Sequence, residues 1–470
     1  MKKIIIYILI FVVFSLLDSN LIYSNTGNYG IGNARILGMS NAGNTMFAGY
    51  YSSTKNPATL FSKADTNDLI HFSIPNFQLG ASSAIQIEHI NKYFDGENKV
   101  HLSESDKEIL ISNFDVSDDG LGSIFTNANI NPFSVGIFLG KEIGAISISF
   151  QEYMSFKASV PKDLAELLFY GNKKEQEFSF NELNVNVVSY GALEFGYAYN
   201  IIDSEKGMIR YLNVGAQAKY LMGNVYLNYS MDNTRVFTTN ENAIDLDVNA
   251  RLLVSEPSGL NLRRETSEEE FSFNPMSDIG SGFGLSFGLV AEMDFGLVLG
   301  LSMTDIGSIN FNKNVEEVLL TKTIKDFNDL SSKEKLDELE SDFHDSTLST
   351  SEISMSLPTT LRLGFMAPIS KWAGMESELN TYLDLDFGTN EIGTNSNVMK
   401  FSLGIDYNYG GYFPRVMTGI SNDINGKFRW SGGIGYETFM FDVYLSTYDI
   451  ISTISPDSHF SAALAMRWKI

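Results

Sequence analysis

The feature that most constrains this chain is an alternation of bulky apolar residues with small or polar ones, repeated many times. Phe295, Leu297, Leu299, Leu301 and Met303 alternate with Gly296, Val298, Gly300 and Ser302. Phe401, Leu403, Ile405, Tyr407 and Tyr409 alternate with Ser402, Gly404, Asp406 and Asn408. Leu379, Thr381, Leu383, Leu385 and Phe387 alternate with Asn380, Tyr382, Asp384 and Asp386. The same period recurs over 146–150, 193–199, 212–220, 283–289, 361–365, 439–445 and 460–468. Successive side chains of a strand point to opposite faces, so each segment carries one apolar and one polar face.

A soluble sandwich turns its apolar faces inward; a membrane barrel turns them outward to lipid. Three observations favour the barrel. The segments are about 10 residues long, enough to cross a bilayer when tilted. Aromatic residues gather at segment ends, as at Tyr197, Tyr199, Tyr407, Tyr409 and Trp468. Short and long connections alternate. The short ones lie at Lys141-Glu142, Met293-Asp294, 368–374, Gly410-Gly411 and Glu437-Thr438. The long ones are 153–183, 256–279, 304–358, 388–396, 422–427 and 450–458. If the final strand ends in the periplasm, that parity puts every short link on the periplasmic side and every long one outside. The pattern predicts an all-β, antiparallel transmembrane barrel of 14 strands. About 16 strand candidates can be counted, but 224–237 and 243–253 alternate weakly and carry several charges, as a hairpin beyond the membrane would. External loops are expected over 90–132, 153–184, 254–280 and 304–358, with short helices at 103–113 and 161–170. Helical spacing also suggests a helix in 315–345, which holds 10 acidic residues against 4 lysines.

Composition narrows the functions. With 57 acidic and 33 basic residues the net charge is −24, which repels a nucleic-acid polyanion. Cysteine is absent, so no disulfide or thiolate-bound metal can form. The histidines (His71, His89, His101, His344, His459) show no metal-ligand spacing. Asp115–Gly120 resembles the opening of a calcium loop, but position 12 is Thr126 instead of the bidentate Glu. No metal, no cofactor and no enzymatic constellation is expected. Lys2 and Lys3 precede an apolar run from Ile4 to Leu17, short of the roughly 20 residues of a helical span. It reads as a signal peptide over 1–24, cleaved near Ser24.

Residues 25–68 precede the barrel, expected over 69–470. Within them, small residues dominate 30–43, followed by Asn56-Pro57-Ala58-Thr59-Leu60. Such a segment suits tight packing in a narrow space. Gly30 and Gly32 do not make a nucleotide fingerprint, because Arg35 stands where a third glycine is needed. Gly38-Met39-Ser40-Asn41-Ala42-Gly43 and 56–60 resemble the N-terminal hatch of the long-chain fatty-acid transporter (FadL-like) superfamily of outer-membrane barrels. The resemblance implies a 14-stranded barrel with a plug in its lumen. In those transporters a hydrophobic ligand enters from outside and leaves through an opening in the wall. The plug motif is then Gly38, Asn41, Gly43, Asn56, Pro57 and Ala58, with Pro57 fixing a turn.

Glu194, Arg362, Asp384, Asp386, Asp406 and Asp442 fall on polar strand faces and are expected to line the lumen, paired with one another or with the plug. The function expected is passive transport of small hydrophobic compounds across the outer membrane. The alternative is a secretion-associated or structural barrel that binds proteins through its loops. The partners implied are membrane lipid, a hydrophobic small molecule and the barrel-assembly machinery. The last strand, with Phe460, Leu464, Trp468 and Ile470 on one face, is the expected assembly signal. A continuous apolar cavity from the loops to a gap in the wall would favour transport; a lumen filled entirely by residues 30–60 and paired charges would rule it out.

Overall fold

The computed structural model describes residues 33–61, 69–83, 103–112, 121–172, 174–239, 243–257, 279–327, 347–348, 352–392, 395, 397, 399–411, 413–422, 428–454 and 459–470. The signal peptide, 113–120 with the calcium-like run, and most of 328–351 lie outside the described residues.

The strands are β1 (Ile70–Ser73), β2 (Asn76–Ser83), β3 (Leu121–Phe138), β4 (Ala145–Pro161), β5 (Glu177–Ser179), β6 (Asn184–Asp203) and β7 (Ile209–Met231). They continue with β8 (Arg235–Thr238), β9 (Ile244–Ser255), β10 (Gly280–Met293), β11 (Val298–Phe311), β12 (Val315–Phe327), β13 (Thr347–Leu348) and β14 (Ile353–Ser356). The last are β15 (Thr360–Pro368), β16 (Glu378–Gly388), β17 (Lys400–Asn408), β18 (Arg415–Asn422), β19 (Phe428–Glu437), β20 (Phe441–Thr447) and β21 (His459–Lys469). β1 and β2 form one wall strand interrupted at Ile74-Pro75, and both pair with β3 on one side and β21 on the other. The Phe72↔Trp468 and Phe77↔Leu464 pairs close the ring. β14 and β15 likewise make one interrupted strand beside β11. The wall is a closed antiparallel transmembrane barrel of 14 strands.

Its faces are inverted relative to a soluble protein. Leu363 is 43% exposed while its neighbour Arg362 is 1% exposed. Phe195 and Leu301 are exposed beside buried Glu194 and Ser302. The apolar set turned outward is the surface that lipid covers. Short turns at 139–144, 204–208, 294–297, 369–377, 409–414 and 438–440 all lie at one end, as the sequence parity requires.

At the other end the wall continues into an external sheet. β7 runs past its pairing with β10, and Tyr226–Met231 pairs instead with β9. β9 also pairs with β8 and β12, β8 with β5, and β12 with β13. The charged segments 224–237 and 243–253 therefore project beyond the membrane. Arg235 meets Asp247 at 2.7 Å and Arg251 meets Glu317 at 2.8 Å. Two expectations need correction. The helix expected in 315–345 is strand β12 over its first 13 residues. Its backbone finds a ready ladder on β9, and pairing of that kind overrides a local helical pattern. The external loops are shorter than expected, since β3 begins at Leu121, β4 runs to Pro161, β11 to Phe311 and β14 begins at Ile353. The strands simply outrun the bilayer. Helices occur at Glu104–Ser112 and Lys162–Tyr170, the latter with Pro161 as its N-cap.

An arginine placed on each surface separates them. Leu363→Arg, on the lipid face, should cost up to about 2–4 kcal/mol, depending on its depth. Thr321→Arg, exposed in β12, should change stability by less than about 0.5 kcal/mol. Urea unfolding in lipid vesicles measures both.

Candidate lumenal site

Residues 33–61 touch polar-face residues of wall strands on many sides of the ring, from β6, β7 and β10 to β16, β17, β19 and β21. Three short turns of helix shape the segment: Ala34–Leu37, Tyr50–Ser53 and Pro57–Leu60. Asn33 and Asn56 cap the first and third, accepting from the backbone of Ile36 at 3.1 Å and of Ala58 at 3.1 Å. Pro57 opens its turn, where a missing N–H costs nothing.

The wall accommodates this segment through glycines on its inner face. A β-carbon added at Gly288 would lie 1.9 Å from Asn56 Oδ1. One at Gly215 would lie 2.3 Å from the Pro57 carbonyl carbon. Gly300, Gly364, Gly404 and Gly419 meet Asn44, Thr45 or Met39 in the same way. Gly38 packs on Met417 and Gly433, and Gly43 on Ile36.

Charge then fixes the segment. Arg35 pairs with Asp406 at 2.6 Å, and Arg415 reaches the same carboxylate at 2.9 Å. Arg415 also binds Glu378 and Glu437, each at 2.8 Å. Asp384 accepts from the backbone N–H groups of Gly43 at 2.7 Å and Asn44 at 2.8 Å. Lys55 stands between Asp384 at 3.4 Å and Asp386 at 3.5 Å, and donates to the Asn41 carbonyl. Arg362 lies 3.6 Å from Asp386 and donates to Thr304 Oγ1 at 2.5 Å. Asp442 holds Arg467 at 2.5 Å and Lys469 at 2.7 Å, while Arg467 donates to the Ala48 carbonyl at 3.1 Å. Ser40 and Asn41 both adopt left-handed backbone, which turns the chain between these anchors.

All six charged residues singled out in the sequence are buried. Asp384, Asp406 and Asp442 engage the segment or its ligands directly. Arg362 and Asp386 join the Lys55 cluster. Glu194 belongs to a separate group: it accepts from Ser149, Gln151, Tyr153 and Gln217, and pairs with Lys219 at 2.9 Å. Lys219 also pairs with Asp305 at 2.7 Å. The partners Lys55, Lys219, Asp305, Arg415 and Arg467 were not singled out from sequence. Lys219 and Arg467 share the polar phase of their strands, so that signal was present.

The inner faces of β6 and β7 show three tiers. Nearest the short turns, Asn213 donates to the carbonyls of Ala58 at 3.1 Å and Phe61 at 2.7 Å, and Gly215 abuts Pro57. Next comes the Glu194–Lys219–Asp305 group. Toward the long loops follows an apolar tier of Val188, Tyr190, Leu221, Ile309, Phe311 and Met355, with other buried residues. Tyr153 and Tyr190 stack at 5.0 Å, and Tyr226 meets Phe311 at 5.3 Å. The wall is irregular at this level. The β10–β11 ladder slips between Leu285 and Phe287, Asp305 has φ 60°, and Leu357–Thr359 separate β14 from β15. Leu357 N–H donates to the Gly307 carbonyl at 2.9 Å and Thr359 Oγ1 to the Asp305 carbonyl at 2.6 Å, so the seam is tied.

Residues 64–447 match the model of DUF5723, described as a family of unknown function. The chain belongs to that family. No curated protein matches it. Among solved structures, this DUF5723 chain is similar to the deltaS2S3 mutant of the TodX monoaromatic hydrocarbon channel, at 10% identity and a TM-score of 0.46. That match covers 94% of this chain and 98% of the other. It is also similar to the toluene transporter TodX of Pseudomonas putida, at 11% identity, TM-score 0.42, and 94% and 96% coverage. A FadL homologue of Pseudomonas aeruginosa matches at 10% identity and a TM-score of 0.23, covering 93% of this chain and 97% of that one.

Two substitutions test how the segment is held. Asp384→Ala strands Lys55 beside Asp386 alone and leaves two backbone donors unsatisfied, so it should destabilise by about 3–5 kcal/mol. Asp384→Asn, which still offers an acceptor to Gly43 and Asn44, should cost less than the alanine variant. Gly215→Val should expel residues 56–58 from their seat, seen as new protease cleavage within 33–61 in the folded barrel.

Proposed function

We propose that this protein is an outer-membrane barrel that passes small hydrophobic compounds passively, with residues 25–68 as its plug. The observation that carries the reading is the inward apolar tier. A water-filled porin presents a polar interior, whereas here Tyr190, Leu221, Ile309, Phe311 and Met355 face inward above the charged groups. These side chains are buried against one another, so an apolar passenger entering from the long-loop end has to part them before it gains about 25 cal/mol per Å² removed from water. The charge tier and the plug below are closely paired, which opposes straight passage while they stay in place. Passage then needs the plug to shift, or the passenger to leave sideways. A sideways exit at the interrupted ladder around Asp305 and 357–359 requires the bonds from Leu357 to Gly307 and from Thr359 to Asp305 to open. The resemblance of 38–43 and 56–60 to the fatty-acid transporter hatch supports the same reading. The segment 1–24 serves as a cleaved export signal, and the apolar last strand as the feature the assembly machinery reads.

A second reading is favoured by the external sheet. Strands β5, β8, β9, β12 and β13 form an ordered platform beyond the membrane, and a barrel that binds proteins there would need such a platform.

Uptake of a radiolabelled aromatic hydrocarbon into proteoliposomes decides between them. The intact protein should raise uptake over empty vesicles, and removal of residues 33–61 should raise conductance to small ions as well. No uptake by the intact protein, with a stoichiometric protein partner co-purifying from the native membrane, would reverse the ranking.

A further inference from the structure

The short turns expose large apolar side chains around the rim they form. Ile143 lies in the turn at 139–144, Met208 at 204–208, Met375 at 369–377, Phe413 at 409–414 and Phe439 at 438–440. Phe439 is 86% exposed and Met208 68%, and Ile470 at the chain end beside them is 76% exposed. Single exposed apolar residues are ordinary on any surface. What sets this rim apart is that five of its six turns carry one. The lipid face of the wall also runs straight into it. Tyr197 Oη donates to the Ile143 carbonyl at 2.6 Å. Exposed Val416 follows Phe413, exposed Phe441 follows Phe439, and exposed Trp468 precedes Ile470.

The turn backbones are largely bonded already. Leu139 N–H donates to the Gly144 carbonyl at 2.9 Å, and Gly144 N–H to the Gly140 carbonyl at 2.8 Å. Thr438 Oγ1 accepts from the N–H of Phe441 at 2.8 Å and of Met440 at 3.2 Å. Neighbouring turns are tied together as well. Asp294 N–H donates to the Met208 carbonyl at 2.9 Å, and Trp372 Nε1 to the Phe295 carbonyl at 2.7 Å. A backbone paired in this way loses little on leaving bulk water. Charges set the depth. Glu142 and Glu376 are exposed at the same level. So are Lys141, beside Asp203 at 3.3 Å, and Lys371, beside Glu292 at 3.6 Å. Carboxylates do not enter hydrocarbon without cost, whereas long lysine stems lie along apolar surface with the ammonium in the wet layer.

We propose that the short-turn rim is a phospholipid-docking surface: its apolar tips insert into the head-group layer of the leaflet at that end, so the barrel ends flush with the membrane there. The ring is continuous with the lipid face of the wall, and the exposed acids hold it at head-group level instead of deeper. All of the overhang then falls at the opposite end, where β7 continues beyond its pairing with β10 as far as Met231. The inference does not depend on what the barrel carries.

The chain has no cysteine, so a single introduced one carries a single nitroxide label. Three tips are labelled one at a time in the full-length mature protein, as Ile143→Cys, Met208→Cys and Phe439→Cys. Leu363→Cys on the lipid face and Thr321→Cys on the external sheet serve as references. In phosphatidylcholine nanodiscs, electron paramagnetic resonance then reads the access of each label to oxygen, which enters lipid, and to a nickel chelate, which stays in water. The oxygen-to-nickel ratio at the tips should exceed that at position 321 by at least threefold and lie between it and the ratio at 363. A ratio at the tips equal to that at 321 would put the rim in water and overturn the proposal. Labels shut off from both reagents would mean that a second copy of the chain covers the rim, and would overturn it as well. Heat-dependent gel mobility checks that each variant is folded, and should one fail, the remaining tips carry the test.

Discussion

Everything inside this barrel depends on one electrostatic constraint. The wall turns its apolar side chains to lipid, so the polar faces of all its strands converge on a confined interior. A charge held there away from water is stable only when an opposite charge or several hydrogen bonds accompany it. Asp406 has Arg35 and Arg415, Asp384 has Lys55 and two backbone donors, and Asp442 has Arg467 and Lys469. In each of these clusters a group of residues 33–61 joins the wall: Arg35, Lys55, or the carbonyl of Ala48. The segment is held by the pairing the wall needs for its own inward charges.

Shape follows the same logic. An inner face with full side chains at 215, 288, 300, 364, 404 and 419 would keep the segment away from the acids that bind it. Glycine at these positions lets two backbones approach, and that closeness makes the short bonds to Asp384 and Asn213 possible. The small residues read in the sequence as two separate signals, glycines in strands and small residues near the N-terminus, are the two sides of one contact.

Much of this was legible beforehand because a strand has a period of two. Leu363 beside Arg362, or Phe195 beside Glu194, announces which side faces lipid without any knowledge of neighbours. Strand number followed from the charges in 224–253, which lipid would not tolerate. What the sequence hid was pairing across the interior. Nothing in the spacing of Arg35 and Asp406, 371 positions apart, links them. Asp305 was hidden for a different reason: a local kink breaks the alternation on which the reading relied. Strand β12 departs from the helix its spacing suggests because its apolar residues fit a helical as well as an extended pattern, and only the ladder offered by β9 decides between them.

The closure of the wall carries a consequence for how the molecule comes into being. Its last ladder joins Phe72 to Trp468, nearly the whole length of the chain apart. A segment that precedes the first strand, yet is gripped by residues as late as Arg467, is walled in only once synthesis has delivered the final strand. The interior is therefore assembled from the outside inward in time: residues 33–61, made before any wall strand, are among the last to find their permanent surroundings.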